Sequence, residues 1–371
     1  MTLKDKHQRH GQVVRAKFGK FARMEFAVLG TTCDAVQSFY HEFSKLIPES
    51  RVTYIDADHN TSETIFSARM QVMSNGFEIQ IPQPVSELEQ RILLSQTDLA
   101  VVNGNHFEAS AQIIICNPDK ESSLRKRAQQ LTSVKAIVLQ DDQTEVPAYV
   151  KELITNYAAL PIFHLNDNDA IAAFIRNEFL NPAPLNALIL TGGKSSRMGQ
   201  DKALISHHSI PQYQYLADVC RGLGLEAFIS CREDQQEQYT ASGHHVIVDT
   251  LNNQGPLGGI VSAFMKYPDN AWLILASDIP LLDMDVLNEL ISQRDASKNA
   301  TAFISAHDGF PEPLIAIWEP KSYMRIMEFV AMGYDCPRKV LINTSTHLIS
   351  PSDPNKLTNV NTPDELANLQ K

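Results

Sequence analysis

The sequence predicts an α/β protein of two domains, each on a mostly parallel sheet. Short apolar runs alternate with amphipathic stretches along the chain, the pattern of β-α-β units. A length of 371 residues exceeds one ordinary core, so domains of about 150 to 200 residues each are expected. The stretch "NPAP", Asn181 to Pro184, ends a helical pattern and stiffens a connection before a fresh strand begins. The boundary therefore falls there, with domains at 1–180 and 186–371.

In the first domain "MEFAVLG", "RVTYIDA", "DLAVVNG", "AQIIIC" and "VKAIVLQ" read as strands. "DAVQSFYHEFSKLI", "SELEQRILLSQ" and "DKESSLRKRAQQL" read as helices, their apolar residues recurring at helical spacing. "NDNDAIAAFIRNEFL" opens with side chains suited to capping a helix. In the second domain "LNALIL", "EAFISC", "HVIVD", "AWLILASD", "ATAFISA" and "PLIAIW" read as strands.

A hydrophobic fraction of 43% with 20% charged residues is that of a globular protein. The net charge of -11 argues against sequence-independent nucleic-acid binding, which needs broad phosphate neutralisation. Arg15, Lys17, Lys20 and Arg23 near the start read as a solvated face. Five scattered cysteines without a C-x-x-C pair read as reduced, mostly buried thiols. No apolar run approaches the ~18 residues of a membrane span, and the first residues lack the apolar core of a signal peptide. A cytoplasmic location is the expectation.

One stretch gathers cations in this acidic chain: "LTGGKSSRMGQDKALI", Leu190 to Ile205. A strand runs into Gly192 and Gly193, where the absence of Cβ lets the backbone approach a ligand and turn its amides toward it. Such amides form an anion site, and Arg197 and Lys202 add positive charge, with Lys194 close by. It is neither G-x-x-x-x-G-K-[ST] nor G-x-G-x-x-G. Taken alone, it reads first as a surface turn, and the motifs downstream reverse that reading.

Asp249 ends a strand and precedes a second glycine-rich loop, Gly255 to Gly259; Asp278 ends a strongly apolar strand. Carboxylates at the C-terminal edge of an open α/β sheet stand where such sheets bind ligands, and carboxylate oxygen is a hard ligand for magnesium. Each reads alternatively as a helix cap. "NVNTPDEL" supplies Asn359 and Asn361 ahead of a capping box formed by Thr362 and Glu365.

"LTGGKSSRMGQDKAL", "VDT", "GPLGGI", "SDIPLL", "PLIAIW" and "NVNTPDEL" together resemble the molybdenum cofactor guanylyltransferases, the MobA family, in order and spacing. The resemblance covers about 186–371 and implies a Rossmann-like nucleotidyltransferase fold. It implies transfer of GMP from GTP to Mo-molybdopterin with release of pyrophosphate. It places Leu190, Thr191, Gly192 and Gly193 beside the nucleotide, Lys202 on its phosphates and Asp249 in contact with it. Asp278 is implied to hold Mg2+, with Arg197 and Lys202 stabilising pyrophosphate, and Asn359 and Asn361 toward the acceptor. Thr191 stands where the family commonly has alanine, and a nucleotide-contacting asparagine of the family has no clear equivalent in "FISCRED", where Ser230 is the available substitute.

The first domain resembles the MobB family of P-loop GTP-binding proteins more weakly, through "DLAVVNG" and "PIFHLNDNDAIAAFI". Where the P-loop belongs the chain reads "AVLGTTCDAVQSF", with Gly30 but no glycine-lysine-Ser/Thr, and Asn103 replaces the expected acid. The expectation is a degenerate, P-loop-like α/β domain kept for docking to the transferase domain or to a molybdoenzyme acceptor or its chaperone. A cytidylyltransferase acting on the same pterin, and a non-catalytic cofactor carrier, are the alternative functions.

Overall fold

The computed structural model describes residues 14–57, 69–73, 76–80, 85–140, 142–191, 210–251 and 255–359. The chain separates into two compact units, Phe18–Asn181 and Pro182–Lys371, the latter joined by Met1–Lys17. Within that second unit the amide of Val14 donates to the Met265 carbonyl, and the amide of Lys17 donates to Asp269 Oδ1 at 2.9 Å.

The first unit runs β1 (Glu25–Leu29), α1 (Cys33–Ser44), β2 (Val52–Ile55), β3 (Arg69–Met73), β4 (Gly76–Gln80), α2 (Glu87–Leu93) and β5 (Leu99–Asn103). It continues with β6 (Gln112–Cys116), α3 (Glu121–Lys126), β7 (Val134–Leu139), α4 (Ala148–Leu153), β8 (Ile162–His164) and α5 (Asn168–Phe179). Six strands form a parallel sheet in the order β2-β5-β1-β6-β7-β8. β3 and β4 pair antiparallel by themselves.

Side-chain alternation builds two cores. Phe26, Val28, Ile113 and Ile115 pack with Val36, Phe39 and Phe43 of α1 and Ile171, Ile175 and Phe179 of α5. The intervening Ala27, Leu29, Ile114 and Cys116 pack on the other face with Leu124 of α3 and Tyr149 and Val150 of α4. The period-two strand pattern therefore buries both faces, as parallel sheets require. Thr32 caps α1 by accepting from the amide of Ala35. Asp167, expected to cap α5, instead accepts from the amide of His164 at 3.0 Å.

The second unit runs β9 (Leu185–Leu190), α6 (Gln212–Gly222), β10 (Glu226–Cys231), α7 (Gln236–Ala241), β11 (His245–Val248), α8 (Pro256–Lys266) and β12 (Ala271–Ala276). It continues with α9 (Met284–Ser292), β13 (Ala300–Ile304), β14 (Pro311–Trp318), α10 (Ser322–Ala331), α11 (Pro337–Ile342) and β15 (Thr346–Ile349). The sheet order is β11-β10-β9-β12-β14-β13-β15. β11, β10, β9 and β12 are parallel, whereas β14 runs antiparallel to both β12 and β13. "PLIAIW" reads as a buried strand, but an apolar run does not encode direction.

Again the faces alternate. Ala187, Ile189, Leu273 and Leu275 pack against α6 and α9, and Leu188, Trp272 and Ile274 against α8, α10 and α11. Behind the sheet Arg294 Nε and Nη2 donate to the two oxygens of Glu319 at 2.6 and 2.8 Å, and Nη2 also donates to the Ala183 carbonyl.

Candidate active site

Register brings the candidate residues to one edge. Cys231 pairs with Val248, Ser230 with Leu190, and Leu190 with Ala276. β11, β10, β9 and β12 therefore end together. The residues that follow, Asp249, Thr191 and the pair Ser277 and Asp278, leave the same C-terminal edge, where open α/β sheets place their ligands.

Thr191, the last described residue before the clustered cations, is held in place. Its amide and its Oγ1 both donate to the Ser230 carbonyl, at 3.0 and 2.8 Å, and the residue is buried. Ser230 in turn directs its hydroxyl to Asp249 Oδ1 at 2.6 Å, while the Asp249 amide donates to the Cys231 carbonyl at 2.9 Å. Burial pushes the Asp249 carboxyl up, and the Ser230 hydrogen bond and the Arg232 charge oppose the rise.

Gly258 and Gly259 lie in the first turn of α8, not in a loop as the sequence suggested. Only Gly255, with φ of +53°, needs the conformational freedom of glycine as a turn. Gly259 has another reason: a Cβ there would stand 2.4 Å from Ser230 Oγ, 2.8 Å from Leu190 Cδ2 and 3.4 Å from Asp249 Oδ1. The first turn of α8 thus packs directly on the Ser230–Asp249 pair. Ser262, one turn later, accepts from the Thr250 amide at 2.8 Å and fixes the chain beyond Asp249.

The other carboxylate, Asp278, is partly buried, two residues past β12. Buried Gln212 of α6 donates to the Ile279 carbonyl at 2.9 Å and holds the backbone there. The Asp278 carboxylate offers hard oxygen, suited to a cation such as magnesium. Among the described residues no group of three His, Cys, Asp or Glu side chains would hold a metal by itself. A magnesium ion on Asp278 would take its remaining oxygens from phosphate and water, its usual manner of binding.

A MobA-like NTP transferase domain matches residues 187–344, which include Thr191, Ser230, Asp249, Gly259 and Asp278. The molybdenum cofactor guanylyltransferase of Pseudomonas aeruginosa is 32% identical over 190 residues, covering 50% of this chain and 94% of that protein. The chain belongs to the MobA-like nucleotidyltransferase family. A molybdenum cofactor biosynthesis bifunctional protein of Synechocystis is 31% identical over 222 residues, 57% of this chain and 64% of that protein. The chain thus matches somewhat less than two thirds of the length of the Synechocystis protein. In structure, the molybdopterin-guanine dinucleotide biosynthesis protein A of Archaeoglobus fulgidus covers 49% of the chain at 20% identity, with a TM-score of 0.42.

For this MobA-like domain the structure brings Leu190, Thr191, Asp249 and Asp278 to one edge. Asn359 is exposed, just beyond the short turn Pro354–Leu357. Gly192, Gly193, Lys194, Arg197, Lys202 and Asn361 lie outside the described residues. Sequence reasoning missed the tie from Thr191 through Ser230 to Asp249, and the role of Gln212. The signal available was Gly259 inside an otherwise helical pattern, which points to close packing. Among the described residues no helix is long and apolar enough to cross a membrane.

Proposed function

We propose that the protein is a molybdenum cofactor guanylyltransferase, transferring GMP from GTP to Mo-molybdopterin and releasing pyrophosphate. The observation that carries this reading is the Thr191–Ser230–Asp249–Gly259 assembly, which fixes Thr191 and Asp249 at the sheet edge, Thr191 being next in the chain to "GGKSSRMGQDK". The guanylyltransferase names of the P. aeruginosa relative and others support the choice of substrate.

In this reading the terminal phosphate oxygen of the pterin attacks the α-phosphorus, forming a new P–O bond as the α–β bond breaks. The chain supplies position and charge, not a nucleophile. Leu190, Thr191, Gly192 and Gly193 bring backbone against the nucleotide, and Asp249 contacts it. Lys202 and Arg197 neutralise the departing pyrophosphate. Asp278 holds magnesium, which when bound offsets negative charge on the phosphate oxygens. Asn359 and Asn361 stand on the acceptor side, and the first unit serves docking, within the chain or to a molybdoenzyme or its chaperone.

The test is pyrophosphate release from GTP and from CTP with Mo-molybdopterin as acceptor. GTP is expected to be preferred at least about tenfold, a difference of about 1.4 kcal/mol. Asp278→Asn should remain folded and lose most turnover, and Lys202→Ala should lower the rate roughly 10²-fold. Equal use of CTP would overturn the guanylyl assignment, and full activity of Asp278→Asn would overturn the metal assignment.

A further inference from the structure

The first unit carries a second group of reactive side chains at the C-terminal edge of its own sheet. Cys33 opens α1, Asp56 follows β2, and Asn103, Asn105 and His106 come at and beyond the end of β5. Ile55 pairs with Val102 and Val28 with Asn103, so these three chain segments leave the sheet side by side. Cys33 Sγ lies 3.3 Å from His106 Nε2, and the same nitrogen lies 3.8 Å from Asp56 Oδ1.

The group is braced. Asn103 Nδ2 donates to both Asp56 oxygens, at 2.9 and 3.0 Å, and Tyr54 Oη donates to Oδ2 at 2.7 Å. Against the upward push of burial, these bonds hold the Asp56 carboxyl below its ordinary range, so it is ionised at neutral pH. Asn105 Nδ2 donates to the Thr31 carbonyl at 3.1 Å, tying the His106 segment to the Cys33 segment. His106 and Asp56 keep 22% and 26% of their side-chain surface, so small solutes reach them.

The other cysteines differ. Cys116, Cys220 and Cys231 are buried, and burial pushes each thiol up to about 12. Cys336 is partly exposed like Cys33, but among the described residues no imidazole bonds its sulfur. Both thiols sit at helix starts, Cys33 at α1 and Cys336 at α11, so helix position does not distinguish them. The imidazole does.

We propose that Cys33 is a nucleophilic thiol that takes up small disulfides, with His106 as the base that receives its proton. Sγ attacks one sulfur of the disulfide; the new S–S bond forms as the old one breaks. The Sγ proton passes to His106 Nε2 and then to the departing thiolate, leaving a mixed disulfide on Cys33 and one free thiol. The segment Gly30 to Val36 offers a phosphate ester no lysine, Asp34 adjoins the thiol in the chain, and the Arg127 guanidinium beside Asn105 is engaged by the Asn105 and Ser123 carbonyls.

The test exposes the full chain to 2-hydroxyethyl disulfide at pH 7.5 and follows each cysteine by peptide mass spectrometry. Cys33 is expected to react about tenfold faster than Cys336, or more, within the scale of base assistance. His106→Gln should bring Cys33 down to the rate of Cys336 without changing Cys336, while the three buried cysteines stay unmodified and report an intact fold. Equal rates for Cys33 and Cys336 in the unaltered chain would sink the proposal. So would an undiminished Cys33 rate in a folded His106→Gln; if that variant unfolds, the comparison in the unaltered chain still decides.

Discussion

Ser230 donates a 2.6 Å hydrogen bond to Asp249 Oδ1, at a place where burial raises the cost of the carboxylate's charge. The serine is itself nearly inaccessible, and its carbonyl receives both bonds that anchor Thr191. One residue thus orients a carboxylate after β11 and fixes Thr191 just after β9. The Thr191 amide bond continues the β9–β10 ladder, whereas the hydroxyl bonds of Thr191 and Ser230 are additional to it. The arrangement spends stability on holding a charge at the ligand edge, as functional sites commonly do.

Replacing that charge should stabilise the fold and weaken nucleotide binding. Asp249 has a folded-state pKa raised above its ordinary 3.8. Its contribution to stability is therefore full below that value and is lost as pH rises through the folded pKa. Asp249→Asn escapes the loss and still accepts from Ser230. Its melting temperature should exceed that of the unaltered protein at pH 7.5, and the gap should close toward pH 4. A variant less stable at pH 7.5 would contradict the burial argument.

Gly259→Ala should be destabilising although alanine favours helices. The gain in helix propensity is about 1 kcal/mol. The new Cβ would meet Ser230 Oγ at 2.4 Å and Leu190 Cδ2 at 2.8 Å, and such overpacking costs about 1–3 kcal/mol. Thermal melting should show a net loss, and calorimetry a weaker affinity for GTP. Adding Ser230→Gly removes the nearest clash and should restore part of the stability. A higher melting temperature for Gly259→Ala would show that α8 moves aside freely.

Much of this was legible in the sequence, and the rest has physical reasons for being hidden. "AWLILASD" and "LNALIL" announced buried strands because both faces of a parallel sheet are covered, and register then placed Asp278 and Thr191 at a common edge. The reversed direction of β14 was invisible, since a continuous apolar run looks the same either way. β8, of three residues, carries too few side chains for a pattern, and β15 reads Thr-His-Leu-Ile, with too little apolar character to stand out. "GPLGGI" was read as a loop because glycine is a poor helix former, yet α8 begins at Pro256. The Ser230–Asp249 bond spans 19 residues of sequence, and no periodicity reports a contact at that distance.

The Arg294–Glu319 pair should matter more for stability than any surface ion pair. Arg294 keeps 12% and Glu319 only 3% of its side-chain surface. Burial pushes the Glu319 carboxyl up, and the arginine opposes it. Arg294→Met leaves the carboxylate buried without its guanidinium, a loss of about 3–5 kcal/mol. The double variant Arg294→Met with Glu319→Leu should recover a large part of that, because a buried pair is often replaceable by apolar side chains. Urea titration of the three proteins measures the difference; equal midpoints for the single and double variants would show that desolvation of Glu319 is not the cause.

The chain should bind one GTP, in the second unit alone. At the end of β1, Gly30 keeps a φ of +81°, and a Cβ there would meet the Ile115 carbonyl oxygen at 2.6 Å, so the chain turns tightly where a nucleotide loop was expected. The side chains there do other work. Thr32 uses its hydroxyl to cap α1, and Cys33 stands against His106 where the loop would offer cations. Asn103 binds the Asp56 carboxylate with its amide and brings no charge of its own. A triphosphate entering this edge would meet Asp34 and Asp56 without a lysine in Gly30 to Val36, and repulsion should exceed what amides return. Calorimetry with magnesium and GTP should therefore give one nucleotide per chain, and Lys202→Ala combined with Asp278→Asn should abolish most of the heat. A stoichiometry of two, or binding that survives both substitutions at undiminished affinity, would place a working nucleotide site in the first unit.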